Sequence, residues 1–239
     1  YMSGLHLLGF SASMIDSVMF KNTMSLTLTN DVIRTCDTKA KFKKALYDCL
    51  GSWIVEDNFD LYDFSYNEDV GGVCLKYGSD IDTNFSATPL FKTKSIPIPK
   101  TFTIGYYYEN YMKYDENGNE VAGGVYSPNC NLQLRITTKS KGTTNLFQLR
   151  DNGNGNNTSN SVKIYVNNGK TILTEKFSNG VFQGEQTFVV PDQVPNCVST
   201  TDTECILELF NALYAQQGTA DYTNFTGYPY ITSLQMDFS

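Results

Sequence analysis

Between Thr101 and Val190 the chain is a succession of short apolar runs, each ended by a turn signal, and this punctuation limits its possible folds more than any other feature. The runs are Phe102–Tyr108, Val121–Tyr126, Leu132–Thr138, Asn145–Arg150, Ser161–Val166, Thr171–Phe177 and Val181–Val190. β-branched and aromatic residues dominate them, and such residues fit a pleated, half-buried surface. Asn117-Gly118, Asn168-Gly169 and Asn179-Gly180 stand at their junctions. Asn and Gly tolerate the positive φ that tight hairpins require. An antiparallel meander or sandwich is expected.

The rest of the chain reads differently. No proline occurs before Pro89, and Leu5, Leu8, Met14, Ile15, Val18, Met19, Leu26, Val32 and Ile33 recur at helical spacing. Within this stretch, Ser25–Thr29 alternates with period two, which suits a short strand. A second helix is expected after Asp37 or Thr38, with Phe42, Ala45, Leu46, Cys49 and Leu50 on one face and Gly51 as its stop. The run with Lys39, Lys41, Lys43 and Lys44 is expected to be the solvated face of that helix. Residues 57–69 interleave acids with aromatics, and Val73–Tyr77 reads as a strand after Gly71-Gly72. Thr88–Pro99 reads as an extended connector or edge strand, because proline cannot donate to a central ladder. A late helix over Asp202–Gln217 is expected from the stripe Ile206, Leu209, Phe210, Leu213 and Tyr214. A last strand, Tyr228–Phe238, would place Tyr230, Thr232, Leu234 and Met236 on one side. The fold class is therefore α+β: an N-terminal helical segment, 1–55, then a mainly antiparallel β-rich head, 56–239, with one late helix.

Charge narrows the partners. Lys and Arg number 18 against 25 Asp and Glu, a net charge of −7. A chain so acidic and without a basic cluster repels phosphate backbones, so nucleic acid is not expected as a partner. Charged residues make up only 18% while aromatics reach 13%, which matches the weakly charged polar surfaces of extracellular β-proteins.

The six cysteines, Cys36, Cys49, Cys74, Cys130, Cys197 and Cys205, include no Cys-x-x-Cys pair, and His6 is the only histidine. That excludes the usual zinc clusters and leaves Ser/His or Cys/His catalysis only one residue to build on. Three near-neighbour disulfides are expected instead, Cys36–Cys49, Cys74–Cys130 and Cys197–Cys205, in an oxidising, extracellular or cell-surface setting.

Three constellations remain. Asp115, Asn117 and Asn119 in one loop, and Asp151 opening another, offer oxygen ligands for calcium, although neither loop has the spacing of an EF-hand. Tyr106, Tyr107, Tyr108 and Tyr111 are the densest tyrosine patch, and one strand face of it is a candidate recognition surface. Asp60, Asp63 and Glu185 are carboxylates that glycoside hydrolysis would need in pairs, but nothing in the sequence sets their separation. No catalysis is expected.

The apolar start Leu7-Leu8-Gly9-Phe10-Ser11-Ala12, ahead of a cysteine-bearing β head, resembles the layout of type IV pilin-like proteins. Leu5 stands where that family has a Glu, and His6 and Asp16 interrupt the apolar run. The resemblance implies a non-catalytic structural or adhesive filament subunit whose helix packs against other subunits. The alternative expectation is a secreted, lectin-like β-sandwich that binds a glycan ligand, as on a host surface.

Overall fold

A computed structural model describes residues 26–48, 53–55, 62–77, 89, 91–109, 112–114, 120–125, 130–151, 161–176, 181–213 and 229–238. These residues form two antiparallel sheets that face each other across one core. The α+β expectation is therefore corrected: the described helices are short, α1 (Asn30–Arg34) and α2 (Lys39–Asp48), and strands dominate. A pilin layout, a long helix carrying a head, is not what the described chain forms. Residues 1–25, including the pilin-like stretch, lie outside the described residues. Among the described residues no helix is long and apolar enough to cross a membrane.

The strands are β1 (Leu26–Leu28), β2 (Trp53–Val55), β3 (Tyr62–Asn67), β4 (Gly72–Tyr77), β5 (Phe91–Thr93), β6 (Ile96–Pro97), β7 (Thr101–Glu109) and β8 (Met112–Tyr114). They continue as β9 (Glu120–Val125), β10 (Cys130–Thr138), β11 (Gly142–Asp151), β12 (Ser161–Val166), β13 (Lys170–Lys176), β14 (Val181–Val189), β15 (Glu204–Leu213) and β16 (Pro229–Asp237). The first sheet has the order β14-β7-β16-β4-β3, with β1 also beside β16. The second runs β13-β12-β11-β10-β15-β5-β2, with β6 also beside β15, and β8 and β9 form a separate ladder.

The core lies between the sheets. Phe102, Ile104 and Tyr106 of β7, Phe188 of β14, and Leu234 and Met236 of β16 face Leu132, Leu134, Ile136, Phe147, Leu149, Ile164, Leu207 and Leu209 of the other sheet. Phe147 bridges the layers, with its ring centroid 6.3 Å from Tyr106 and 6.4 Å from Phe188. Burying each such side chain contributes roughly 1.5–3 kcal/mol. Leu28, Ile33, Phe42 and Leu46 belong to the same core, so β1 and both helices pack into it.

The turn chemistry works as the sequence predicts where it is described. Asn167, Asn168 and Gly169 all have positive φ between β12 and β13. Gly142, at φ 66°, ends the β10–β11 turn. A bulge opposite Leu134 and Arg135 lets Leu146 and Phe147, adjacent in sequence, both be buried. Asn117-Gly118 and Asn179-Gly180 lie outside the described residues.

Three sequence readings need correction on physical grounds. The expected helix over 202–217 is strand β15 through Leu213. Cys205, Leu207 and Leu209 are buried at period two, and β15 sits centrally, paired along β10. Its helical-looking stripe is one face of a strand plus residues on the other face. The expected single face of β16 is broken by a bulge at Thr232: Ile231, Leu234 and Met236 turn inward, while Tyr230 and Ser233 turn outward. The expected pairs Cys36–Cys49 and Cys197–Cys205 are not formed, since Cys36, Cys197 and Cys205 are buried free thiols. Their Sγ atoms approach carbonyls instead, Cys36 that of Val32 at 3.5 Å and Cys197 that of Asn145 at 3.6 Å. Cys74 is buried; Cys49 and the side chain of Cys130 lie outside those described.

Candidate functional site

Side chains alternate across a strand. Since Tyr106 faces the core, its neighbours Thr103, Gly105 and Tyr107 lie on the outer face of the first sheet. β14 adds Gln183, Glu185 and Thr187 to that face, all exposed, and β16 adds Tyr230, Ser233 and Gln235. The result is three rows across adjacent strands: Thr187–Thr103–Gln235, Glu185–Gly105–Ser233 and Gln183–Tyr107–Tyr230.

The middle row has the most directed geometry. Gly105 has no side chain, so Glu185 reaches over it, and Ser233 Oγ donates to Glu185 Oε2 at 3.0 Å. Ser233 is only 1% exposed, so its hydroxyl is a fixed donor. A Cβ at position 105 would collide with the hydroxyls of Thr232 and Ser233, which the β16 bulge turns onto the glycine. On the core side Gly184 does the same for Tyr106, whose hydroxyl lies 2.9 Å from where a Cβ would stand. The bulge, the two glycines and the buried serine together fix the direction of the Glu185 carboxylate.

The flanking rows differ in character. Thr103 Oγ1 and Thr187 Oγ1 share a hydrogen bond at 2.9 Å. Tyr107 and Tyr230 pack with centroids 6.2 Å apart at 59°, with Cys74 beside them, and the Tyr230 hydroxyl shares a 2.9 Å hydrogen bond with Ser65 Oγ. The face thus offers an oriented carboxylate, paired hydroxyls and amides within a few strand spacings, beside the buried Tyr107–Tyr230 pair.

The tyrosine expectation is corrected here. Tyr106 is 1% and Tyr107 8% exposed, so neither presents a recognition surface. Two packed layers claim both faces of β7 at this point, the core on one side and Tyr230 on the other. Tyr108 continues β7 but its side chain, like all of Tyr111, is outside the described set. Of the carboxylate candidates, Glu185 lies on the outer face, Asp60 is not described, and Asp63 is on β3, four strands from β14. At about 4.8 Å per strand that is roughly 19 Å, beyond the 5–10 Å or so that paired glycosidase carboxylates need. Asp115, Asn117 and Asn119 are not described, nor is the side chain of Asp151, which ends β11; among the described residues no three His, Cys, Asp or Glu gather as a metal site.

Ser233 and Gly105 were invisible as site residues in the sequence. The Gly in an otherwise strand-like run was the available signal, because such a glycine marks a close approach.

Elsewhere, α2 follows the expected helix through Asp48, while Cys49, Leu50 and the expected stop at Gly51 lie outside the described residues. Thr38 Oγ1 accepts from the Lys41 N–H at 3.2 Å, and Lys41 and Lys44 pair with Asp37 and Asp48 on the solvated side. The Lys41 ammonium holds the Asp37 carboxyl below its ordinary range. Asp202 accepts from the Ser140 N–H at 3.0 Å, the Ser199 N–H at 2.8 Å and the Ser140 hydroxyl, which ties the turn after β10 to the segment before β15. Those donors, Ser140 foremost, lower its pKa.

No family model matches the sequence, and no curated protein does. Among solved structures the chain is similar to the crystal structure of a β-1,3-glucanase from Mycobacterium marinum, at a TM-score of 0.27 and 9% identity. The match covers 61% of this chain and 66% of that one, so this chain spans just under two thirds of its length. A likeness this distant says nothing of activity.

Proposed function

We propose that the protein is a non-catalytic β-sandwich recognition module whose outer face around Glu185 binds a hydroxyl-rich ligand, a carbohydrate. The observation that carries this reading is the Glu185–Ser233 hydrogen bond over Gly105. A carboxylate has about four acceptor sites, and Ser233 fills one while fixing the direction of the rest. An oriented carboxylate accepts from adjacent sugar hydroxyls through charge-assisted bonds. Thr103, Thr187, Gln183 and Gln235 add the neutral donors and acceptors that a polyol matches.

The same row argues against hydrolysis. Glu185's cross-strand neighbours are Gly105 and Ser233, its same-face neighbours on β14 are Gln183 and Thr187, and none is a second carboxylate. Isothermal titration against a panel of neutral polysaccharides tests the reading. Binding by the wild type, weakened at least about tenfold in Glu185→Gln, supports it. No binding to any member, or equal binding by the variant, refutes it.

A further inference from the structure

Among the described residues β14 is the terminal strand of its sheet and β7 its only strand partner. In an antiparallel strand the N–H and C=O of one residue point to the same side, and successive residues alternate. The Val190 N–H donates to Lys100 O at 2.9 Å, on the β7 side. Val189 points the other way: its N–H donates to Gln193 Oε1 at 2.7 Å and its carbonyl accepts from the Gln193 N–H at 2.9 Å. By alternation the backbone groups of Val181, Gln183, Glu185 and Thr187 point away from β7. Gln193 imitates a neighbouring strand at one end only, and no described residue does so for Gln183, Glu185 or Thr187.

Sheet proteins guard such edges with charged side chains, lysine above all, with proline, bulges or brevity. β14 is nine residues long, contains no Lys or Pro, carries Glu185 as its one charged side chain, and pairs with β7 without a register shift.

We infer that β14 pairs antiparallel with β14 of a second copy, across a two-fold axis at Gly184, to make one continuous sheet. The register follows from charge and from the Gln193 plug. An axis at Glu185 would set two carboxylates opposite each other, roughly 5.5 Å apart between Cα atoms, and would call on the Val189 groups that Gln193 already occupies. An axis at Gln186 would also require Val189. An axis at Gln183 shortens the overlap. Only the Gly184 axis sets Glu185 opposite the second copy's Gln183, carboxylate against amide, twice by symmetry, and Thr187 opposite Val181. Two hydrogen bonds per pair then give about eight across the interface. The open edge is a matter of backbone groups and the register one of the Glu185–Gln183 pairing; neither requires a bound carbohydrate.

Sedimentation velocity of the full chain tests it with three variants. Wild type is expected to dimerise below about 100 μM. Gln183→Glu faces Glu185 with a like charge at two places and should weaken the dimer about tenfold. Gln183→Lys faces it with an opposite charge and should dimerise at least as tightly as wild type. Gln183→Pro removes an outward N–H without touching the β7 ladder and should be monomeric. A monomeric wild type, or Gln183→Glu and Gln183→Lys with equal dimer affinity, overturns the inference, even if the proline variant does not fold.

Discussion

Ser233 holds Glu185 by a 3.0 Å hydrogen bond across a glycine, although the two residues belong to strands that do not touch. Gly105 between them makes the reach possible, and the bulge at Thr232 turns the serine outward. Removing either end has separate consequences. Ser233→Ala deletes a buried donor and should cost about 1 kcal/mol of stability while freeing the carboxylate to turn. Glu185→Gln keeps the acceptor oxygen and should leave the melting temperature nearly unchanged. Thermal denaturation of both variants checks the contrast.

Gly105→Ala should be worse than either. Its Cβ meets two side-chain hydroxyls and the Ser233 backbone nitrogen at 3.2 Å, so β16 must shift away. A loss of about 1–3 kcal/mol is expected from such overpacking. A variant as stable as wild type would show that the bulge yields freely, and the carboxylate would then not be held in one direction.

Phe147 is the inter-sheet counterpart of this row, fully buried against Tyr106 and Phe188. Phe147→Ala should cost about 3–5 kcal/mol, read as a shift in the denaturant midpoint.

How far the sequence revealed the fold depends on what set each element. Strands β7, β10, β11, β12, β13 and β14 were readable because local alternation and turn residues agree with the tertiary pairing. The helix α2 was readable because Thr38 caps it and Phe42, Ala45 and Leu46 share a face. β15 was not, since Glu204–Leu213 carries both a helical stripe and a period-two face, and only the pairing with β10 decides between them. The functional face was least legible. Glu185 could be named as a candidate, but its partner Ser233 depends on a bulge and on strand order, neither of which has a local signature.

Acid should loosen the segment that Asp202 ties. Its folded pKa lies below the ordinary value of 3.8, held there by Ser140 first. A depressed carboxyl contributes stability that is fully present above its unfolded pKa and is lost as pH falls through the folded one. Asp202→Ala should therefore melt below wild type at neutral pH, and the gap should close below the ordinary carboxyl range. A gap that persists in acid would contradict the role of the charge.

The buried thiols should be inert. Burial, with Asp202's charge adding to it, pushes Cys205 up to about 12, and burial raises Cys36 and Cys197 too. Native protein treated with iodoacetamide near pH 8 should leave these three unmodified, and denaturant should expose them. A Cys197–Cys205 cystine in the peptide map would contradict the structure.

Recognition of carbohydrate by the outer face around Glu185 would be visible residue by residue. Titration of the isotope-labelled protein with a polysaccharide it binds, followed by amide chemical shifts, tests this most directly. Perturbations are expected to concentrate at Thr103, Gly105, Gln183, Glu185, Thr187 and Ser233. Perturbations confined to other strands, with these six amides unmoved, would contradict it.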